Sequence, residues 1–285
     1  MSATILGTGL LGFNIARRLL ENDFEVTVWN RTIEKAKPLL EHGAKLATDI
    51  KDAVQRAELI SVIVSDDKAS LYILKNVFSY GKKGAVIVNH STVTPSHTRE
   101  MYEEAHAKGF AYVALPVMGG PREAIEGELI GVAGGDYEKL TSFPKYLETL
   151  FKKVHYVKSP EEASAVKLAL NSIYFSAMIG LAEALVLAES WGCEPQTFFK
   201  IADDLWIKVL VERYGSRLLS ENYPVSFKLH LAAKDMSYAT IAGAEKGVSL
   251  PHIATMAQML LSASMRKELK EEDYTRIYKF LKGLV

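Results

Sequence analysis

The stretch from Ser159 to Gly192, SPEEASAVKLALNSIYFSAMIGLAEALVLAESWG, constrains this chain more than any other. It reads as one long helix with both ends marked. Ser159 is an N-cap residue, Pro160 suits the first helical position, and Glu162 stands where a capping box needs it. Gly192 is a C-cap residue, and Pro195 follows it. At 1.5 Å per residue the helix is roughly 45 Å long, more than a single small domain needs. Beyond Ile173 it is apolar on nearly every face, with Glu183 the main interruption. Such a helix is expected to be buried all round, between two domains or two subunits. The uninterrupted apolar run is short of the ~18 residues of a membrane span, so no membrane is expected. A homo-oligomer, dimer or tetramer, is.

The pattern before this helix is α/β and the pattern after it is all helical. A chain of 285 residues suffices for two domains, here expected as 1–158 and 159–285. Lys plus Arg and Asp plus Glu both number 34, so nothing favours nucleic acid or an anionic membrane as a general partner. The single cysteine, Cys193, fits a reducing compartment, and the chain enters an apolar strand at Thr4 without a basic leader. A cytoplasmic protein is expected. The histidines show no metal-ligand spacing, so no metal is expected.

The first dozen residues carry the sharpest motif. Ala3–Leu6 is a short apolar run, and GTGLLG follows, placing Gly7, Gly9 and Gly12 in G-x-G-x-x-G spacing. An amphipathic helix then runs through Asn14–Leu20, and Glu25–Trp29 is a second strand. In this strand–turn–helix context the first glycine makes a tight turn. The second lets backbone approach a pyrophosphate, and the third lets helix and strand pack closely. Thr8, Leu10 and Leu11 lie in the same turn, where the helix N-terminus offers N–H groups to phosphate. At the end of the second strand an NAD site usually carries an acid. This chain has Asn30, Arg31 and Thr32 instead, which favours the 2′-phosphate of NADP. Asn30 and Thr32 also suit the cap of a helix expected over Ile33–Glu41.

Strands and helices keep alternating. Strands are expected at Leu59–Val64, Ala85–Asn89, Phe110–Leu115 and Leu129–Ala133, with helices at Ala69–Tyr80, Pro95–Lys108 and Tyr137–Phe151. This predicts a doubly wound, mostly parallel sheet of the Rossmann type. Ligands of such sheets lie beyond the carboxyl ends of the strands, where Gly7–Gly12, Val64–Ser65, Ser91–Thr92 and Met118–Gly120 fall. After Gly192, helices are expected at Pro195–Asp203, Ile207–Leu219, His230–Lys246, His252–Lys267 and about Glu272–Leu281.

Taken in order, these motifs resemble the β-hydroxyacid dehydrogenase family over essentially the whole chain. Its 3-hydroxyisobutyrate dehydrogenase and glyoxylate/succinic semialdehyde reductase branches are the most similar. GTGLLG stands at the family's cofactor turn, and Trp29–Asn30–Arg31–Thr32 resembles its NADP-type loop. His90–Ser91–Thr92–Val93 resembles the segment under the nicotinamide ribose. Ala114–Leu115–Pro116–Val117–Met118–Gly119–Gly120 stands at the substrate-carboxylate loop D-A-P-V-S-G-G. Lys167 and Asn171 match the catalytic K-x-x-x-N, and Lys234–Asp235–Met236 matches a later K-D-M whose lysine faces the cofactor. The resemblance implies a Rossmann NADP-binding domain, a long interdomain helix and an all-α, 6-phosphogluconate dehydrogenase-like C-terminal domain. It also implies hydride transfer between NADPH and a small aldehyde or keto acid, or the reverse oxidation of a β-hydroxyacid.

The chain departs from the pattern at the carboxylate loop. The family serine is Met118 and the family aspartate is Ala114. The backbone N–H groups of Gly119 and Gly120 are expected still to face an anion, but the hydroxyl is replaced by a bulky thioether of low polarity. In the implied chemistry Lys167 is general acid/base at the substrate oxygen. Asn171, one helical turn on, donates to that oxygen or holds lysine and substrate in register. Val64, Ser65, Thr92 and Lys234 are expected at the cofactor. Asp235 is expected to pair with Lys234 or shape the pocket, while His90, His97 and Trp206 are expected to be structural. Two alternatives stand beside this one: an imine reductase of the same architecture, and a non-catalytic NADP-binding sensor or assembly protein.

Overall fold

In the computed structural model, which describes every residue from Met1 to Val285, the apolar runs of the first half pair into one nine-stranded sheet. The strands are β1 Ser2–Leu6, β2 Glu25–Trp29, β3 Lys45–Leu46, β4 Leu59–Val62, β5 Val86–Asn89, β6 Ala111–Ala114, β7 Val117–Met118, β8 Leu129–Gly135 and β9 Phe151–Tyr156. Their order is β3-β2-β1-β4-β5-β6-β8-β7, with β9 paired to β8. The first six are parallel in the 3-2-1-4-5-6 order of a Rossmann fold. β8 then runs antiparallel to β6 and β7. The central strands are buried on both faces, which explains why LISV and VIVN read as continuous apolar runs.

Two expected helices take other forms. Ile33–Glu41 is a pair of 3₁₀ segments, Ile33–Lys35 and Lys37–His42, the second with Pro38 in its first turn. Tyr137–Phe151 divides into Tyr137–Leu140 and Pro144–Leu150, because Pro144 has no N–H to continue the ladder. Phe151 then opens β9, a strand the sequence conceals because most of its residues are exposed and two are lysines.

The long helix spans Pro160–Ser190. Its start is capped as expected: Glu162 N–H donates to Ser159 Oγ at 3.3 Å, and Glu162 Oε2 accepts from Lys158 N–H at 3.0 Å. Gly192 follows its end at φ +84°, and Cys193 N–H returns to Ala188 O. By its internal contacts the chain divides into units Met1–Lys167 and Leu168–Val285, a division that falls inside this helix. Ala163 and Ser164 are buried in the first unit. Leu168, Phe175, Met178, Ala182 and Leu185 belong to the core of the second.

The helix is not buried all round. Ile173 and Leu187 are 66% and 63% exposed, and Trp191 just beyond is 87% exposed. Its apolar content exceeds what one buried stripe requires, and the surplus faces outward. By length and composition it could cross a membrane, yet 44% of its most apolar 18 residues are buried within the protein.

The second unit is helical throughout, with helices Pro195–Ala202, Lys208–Leu219, Leu229–Glu245, Pro251–Ser264 and Ile277–Leu281 after the long one. Arg217 Nη2 and Asp273 form an ion pair within its core, at 3.2 Å. Burial pushes the Asp273 carboxyl up, but Arg217 and the donors of Ser226 and Thr275 outweigh it and hold it below the usual carboxylate range.

Candidate dinucleotide site and active site

The turn after β1 is sterically closed at two glycines and open at the third. Gly7 has φ +107°, and a Cβ there would stand 2.1 Å from Ile63 O. A Cβ on Gly12 would stand 2.0 Å from Gly7 O, so the helix Leu10–Leu20 rests directly on the turn. A Cβ on Gly9 would meet nothing within 4 Å. The protein itself therefore does not require glycine at position 9, and the space there is available to a ligand. Thr8 is 2% exposed, yet its hydroxyl has no hydrogen-bond partner within the protein. Leu10 is exposed and Leu11 half-buried.

The neighbouring loop is tied to this turn. Thr8 N–H donates to Asn30 Oδ1 at 3.0 Å, and Asn30 Nδ2 donates to Thr32 O at 2.8 Å. Asn30 thus fixes the glycine turn against the end of β2. Arg31 and Thr32 are exposed, and Arg31 enters no hydrogen bond or ion pair within the protein. Open space at Gly9, an unpaired Thr8 hydroxyl, a helix N-terminus and a free guanidinium fit a phosphorylated dinucleotide.

Beyond β4 and β5 the expected residues are held by short bonds. Val64 N–H donates to Ser91 Oγ at 3.0 Å, and Ser65 Oγ donates to Asp66 Oδ2 at 2.6 Å. Asp66 caps the helix Asp67–Tyr80 by accepting from Ala69 N–H at 2.8 Å. Thr92 is half-buried beside Ser91.

His90 lies beneath this rim. Its Nδ1 is 2.8 Å from Leu115 O and its Nε2 2.8 Å from Tyr146 Oη, which in turn is 2.7 Å from Ser61 Oγ. A carbonyl only accepts, so Nδ1 carries the proton and Nε2 accepts from Tyr146. Burial pushes the His90 pKa down to about 4. His97 Nε2 lies 3.0 Å from Ser70 Oγ, and burial lowers its pKa as well. Both are neutral parts of hydrogen-bond networks, in keeping with the structural role expected of them.

Lys167, the last residue of the first unit, donates from Nζ to Met118 Sδ at 3.6 Å. The two lie far apart in sequence and meet because β7 and the start of the long helix belong to one unit. Gly119 has φ +122°, and a Cβ there would stand 2.9 Å from both Glu123 Cβ and Leu129 Cδ2. Gly120 corrects an expectation. Its N–H is not left open to a substrate anion but donates to Glu123 Oε2 at 2.7 Å, the glutamate reaching back from the third position of the helix Pro121–Glu126.

In the second unit, Asn171 Nδ2 donates to Asp235 Oδ2 at 2.7 Å, and Lys234 Nζ lies 2.8 Å from Asp235 Oδ1. Asp235 is fully buried, on the helix Leu229–Glu245, and Lys234 Nζ also sits 4.8 Å from the Tyr238 ring centroid. A single buried carboxylate therefore joins two residues that sequence analysis named separately. Trp206, expected to be core, is 84% exposed.

A glycine dinucleotide turn on a 3-2-1-4-5-6 sheet, followed by a helical second unit, defines an NAD(P)-binding dehydrogenase. Residues 2–157 match the family described as the NAD binding domain of 6-phosphogluconate dehydrogenase. Residues 162–281 match the one described as NAD-binding of NADP-dependent 3-hydroxyisobutyrate dehydrogenase. Glyoxylate/succinic semialdehyde reductase 1 of Arabidopsis thaliana is 29% identical over an alignment 289 positions long, gaps included, which covers 99% of each chain. A Mycobacterium tuberculosis 3-hydroxyisobutyrate dehydrogenase, solved with L-serine, shares the fold at a TM-score of 0.85, with 20% identity over 99% of both chains. A reductive aminase from Aspergillus terreus, solved with NADPH and ethyl levulinate, aligns at a TM-score of 0.66 with 25% identity over 98% of both. The chain belongs to the β-hydroxyacid dehydrogenase family and is an oxidoreductase with a Rossmann domain and a 6-phosphogluconate dehydrogenase-like helical domain.

Proposed function

We propose that this chain transfers hydride between NADPH and the carbonyl carbon of a small aldehyde or keto acid, with Lys167 as general acid/base. The observation that carries the reading is the Lys167 ammonium set against a weak acceptor, the Met118 thioether at 3.6 Å. A carbonyl oxygen is a better acceptor than sulfur, so a substrate oxygen brought to Nζ outcompetes the Met118 thioether. NADPH, when bound, supplies the hydride. As charge develops on the substrate oxygen, Lys167 stabilises it and then donates the proton from Nζ; in the reverse direction it accepts that proton. Asn171 follows one turn later on the same helix, and its amide is held by Asp235, which also holds Lys234. That shared carboxylate fixes the rotamers of both donors before any ligand arrives.

NADP is favoured over NAD because Arg31 is exposed and unpaired at the end of β2, where no acid stands to repel a 2′-phosphate. The substrate class is drawn from the plant relative named for glyoxylate and succinic semialdehyde. Met118 gives weight to a second reading, imine reduction, since a thioether suits a less polar substrate and a structural neighbour is a reductive aminase. The test is Lys167→Ala. It is expected to retain NADPH binding, measured by fluorescence titration, and to lose roughly 100-fold or more in turnover of carbonyl substrates. Unchanged turnover would remove Lys167 from the mechanism, and turnover of cyclic imines alone would favour the second reading.

We also infer a homo-oligomer built on the exposed face of the long helix. Ile173, Ala177, Gly180, Ala184 and Leu187 follow one another by alternating steps of four and three. Large residues flank a small centre, with Ile173 and Leu187 each seven positions from Gly180. An antiparallel second copy would set each Ile173 against the other's Leu187, the self-complementarity that a two-fold interface requires.

A further inference from the structure

We propose that Met118 and Glu123 together exclude substrates bearing a free carboxylate, so that the preferred substrate is a neutral aldehyde or ketone. This rests on the hydride-transfer reading above and narrows its substrate class. A keto acid or semialdehyde acid has two demands: an acid/base group at its carbonyl oxygen, and hydrogen-bond donors for its carboxylate. Burying a carboxylate without donors is costly, and burying it beside a like charge more so.

The loop that touches Lys167 fails the second demand at two of its positions, 118 and 120. The side chain at position 118 is a thioether, which donates nothing and presents an apolar body. The N–H of Gly120 is already taken by a carboxylate of the chain itself, Glu123 Oε2 at 2.7 Å. A charge-assisted bond of that length is among the stronger hydrogen bonds a protein makes, and an incoming anion would have to displace one carboxylate to bind another. Glu123 is held there by design of the local backbone. It occupies the third position of the helix that Gly120 caps, and Pro121 opens that helix. Gly119 has no Cβ, and one placed there would press on Glu123 Cβ at 2.9 Å, so glycine at that position allows the glutamate to close over the loop. The loop thus carries its own anion where a substrate anion would need donors. A neutral carbonyl compound avoids both penalties: its oxygen takes the Lys167 proton, and its apolar part lies against the Met118 side chain.

The experiment uses the full-length protein and NADPH oxidation with matched substrate pairs: glyoxylate with methyl glyoxylate, and succinic semialdehyde with its methyl ester. The expected result is a kcat/KM for each ester about tenfold or more above that of its acid. In the Met118→Ser/Glu123→Gln variant the acid-to-ester ratio of kcat/KM is expected to rise about tenfold or more, since a hydroxyl is supplied and the resident charge removed. Met118→Ser alone, which leaves the helix cap intact, is expected to move the ratio in the same direction and serves if the double variant does not fold. A wild-type preference for the acids would overturn the proposal while leaving hydride transfer standing. So would a ratio that neither variant changes. Failure of the wild type to turn over any of the four compounds while NADPH still binds would overturn the hydride-transfer reading, and this inference with it.

Discussion

His90 is expected to make the first unit acid-labile in a defined pH window, and His90→Gln isolates its share. In the folded chain its Nδ1–H bonds Leu115 O and its Nε2 accepts from Tyr146, so the neutral ring satisfies every group it meets. Protonation would turn Nε2 into a donor facing the Tyr146 hydroxyl and would place an unpaired charge at a site 2% exposed. Burial lowers the pKa from 6.5 to about 4, which converts to about 3 kcal/mol at 1.36 kcal/mol per pH unit. The folded state binds fewer protons than the unfolded chain between these values. The stability linked to neutral His90 is therefore whole above pH 6.5 and is lost as pH falls toward about 4.

The assay is urea unfolding followed by tryptophan fluorescence. The chain has three tryptophans, and the two in the second unit, Trp191 and Trp206, are 87% and 84% exposed. In a Trp191→Phe/Trp206→Phe background, Trp29 at the end of β2 reports the first unit alone. His90→Gln preserves an amide donor and acceptor but does not titrate, and carboxylates that respond to acid are common to both proteins and cancel. The stability gap between the background and His90→Gln is expected to shrink by about 3 kcal/mol from pH 7.5 to pH 4. A gap that stays constant across that range would refute the reasoning, because it would mean that His90 titrates alike in the folded and unfolded chain.

Three further outcomes follow from the geometry. Arg31→Ala is expected to weaken NADPH binding about tenfold, the worth of a charge-assisted contact, and to leave NADH binding unaltered; equal effects on both in a fluorescence titration would remove Arg31 from the 2′-phosphate. Gly9→Ala is expected to leave the melting temperature within about 2 °C while weakening NADPH binding, whereas Gly7→Ala, at φ +107° and 2.1 Å from Ile63 O, is expected to lower it sharply. Identical melting curves for the two glycine variants would contradict the division between a fold glycine and a ligand glycine. Leu187→Arg is expected to convert an oligomer to a monomer in light scattering at about 10 µM, because it places a charge on the apolar seam; a monomeric parent protein would defeat that reading outright.

What could be read from the sequence was what short-range sterics decide. Gly7 and Gly12 are glycine because backbone atoms a few residues away or on the adjoining β4 edge leave no room for a Cβ, and such demands leave a fixed spacing behind them. The caps of the long helix were legible for the same reason, since Ser159, Glu162 and Gly192 act within one turn of their own positions. Glu123 belongs to this legible class as well: proline at the first position and glutamate at the third after Gly120 mark a helix start whose glutamate can reach back to the Gly120 N–H. Asp235 was legible only in part: its pairing with the adjacent Lys234 is local, but its burial against Asn171 depends on how the helices pack. The outer face of the long helix escaped for a different reason. Apolar residues on every side state that water is to be excluded but not by what, and the same letters serve a protein core, a second subunit or lipid. Residues whose partners are local announce themselves by spacing. Met118 and Lys167 each stood in a legible motif, but their meeting depends on how β7 and the start of the long helix pack, and only the folded chain shows that contact.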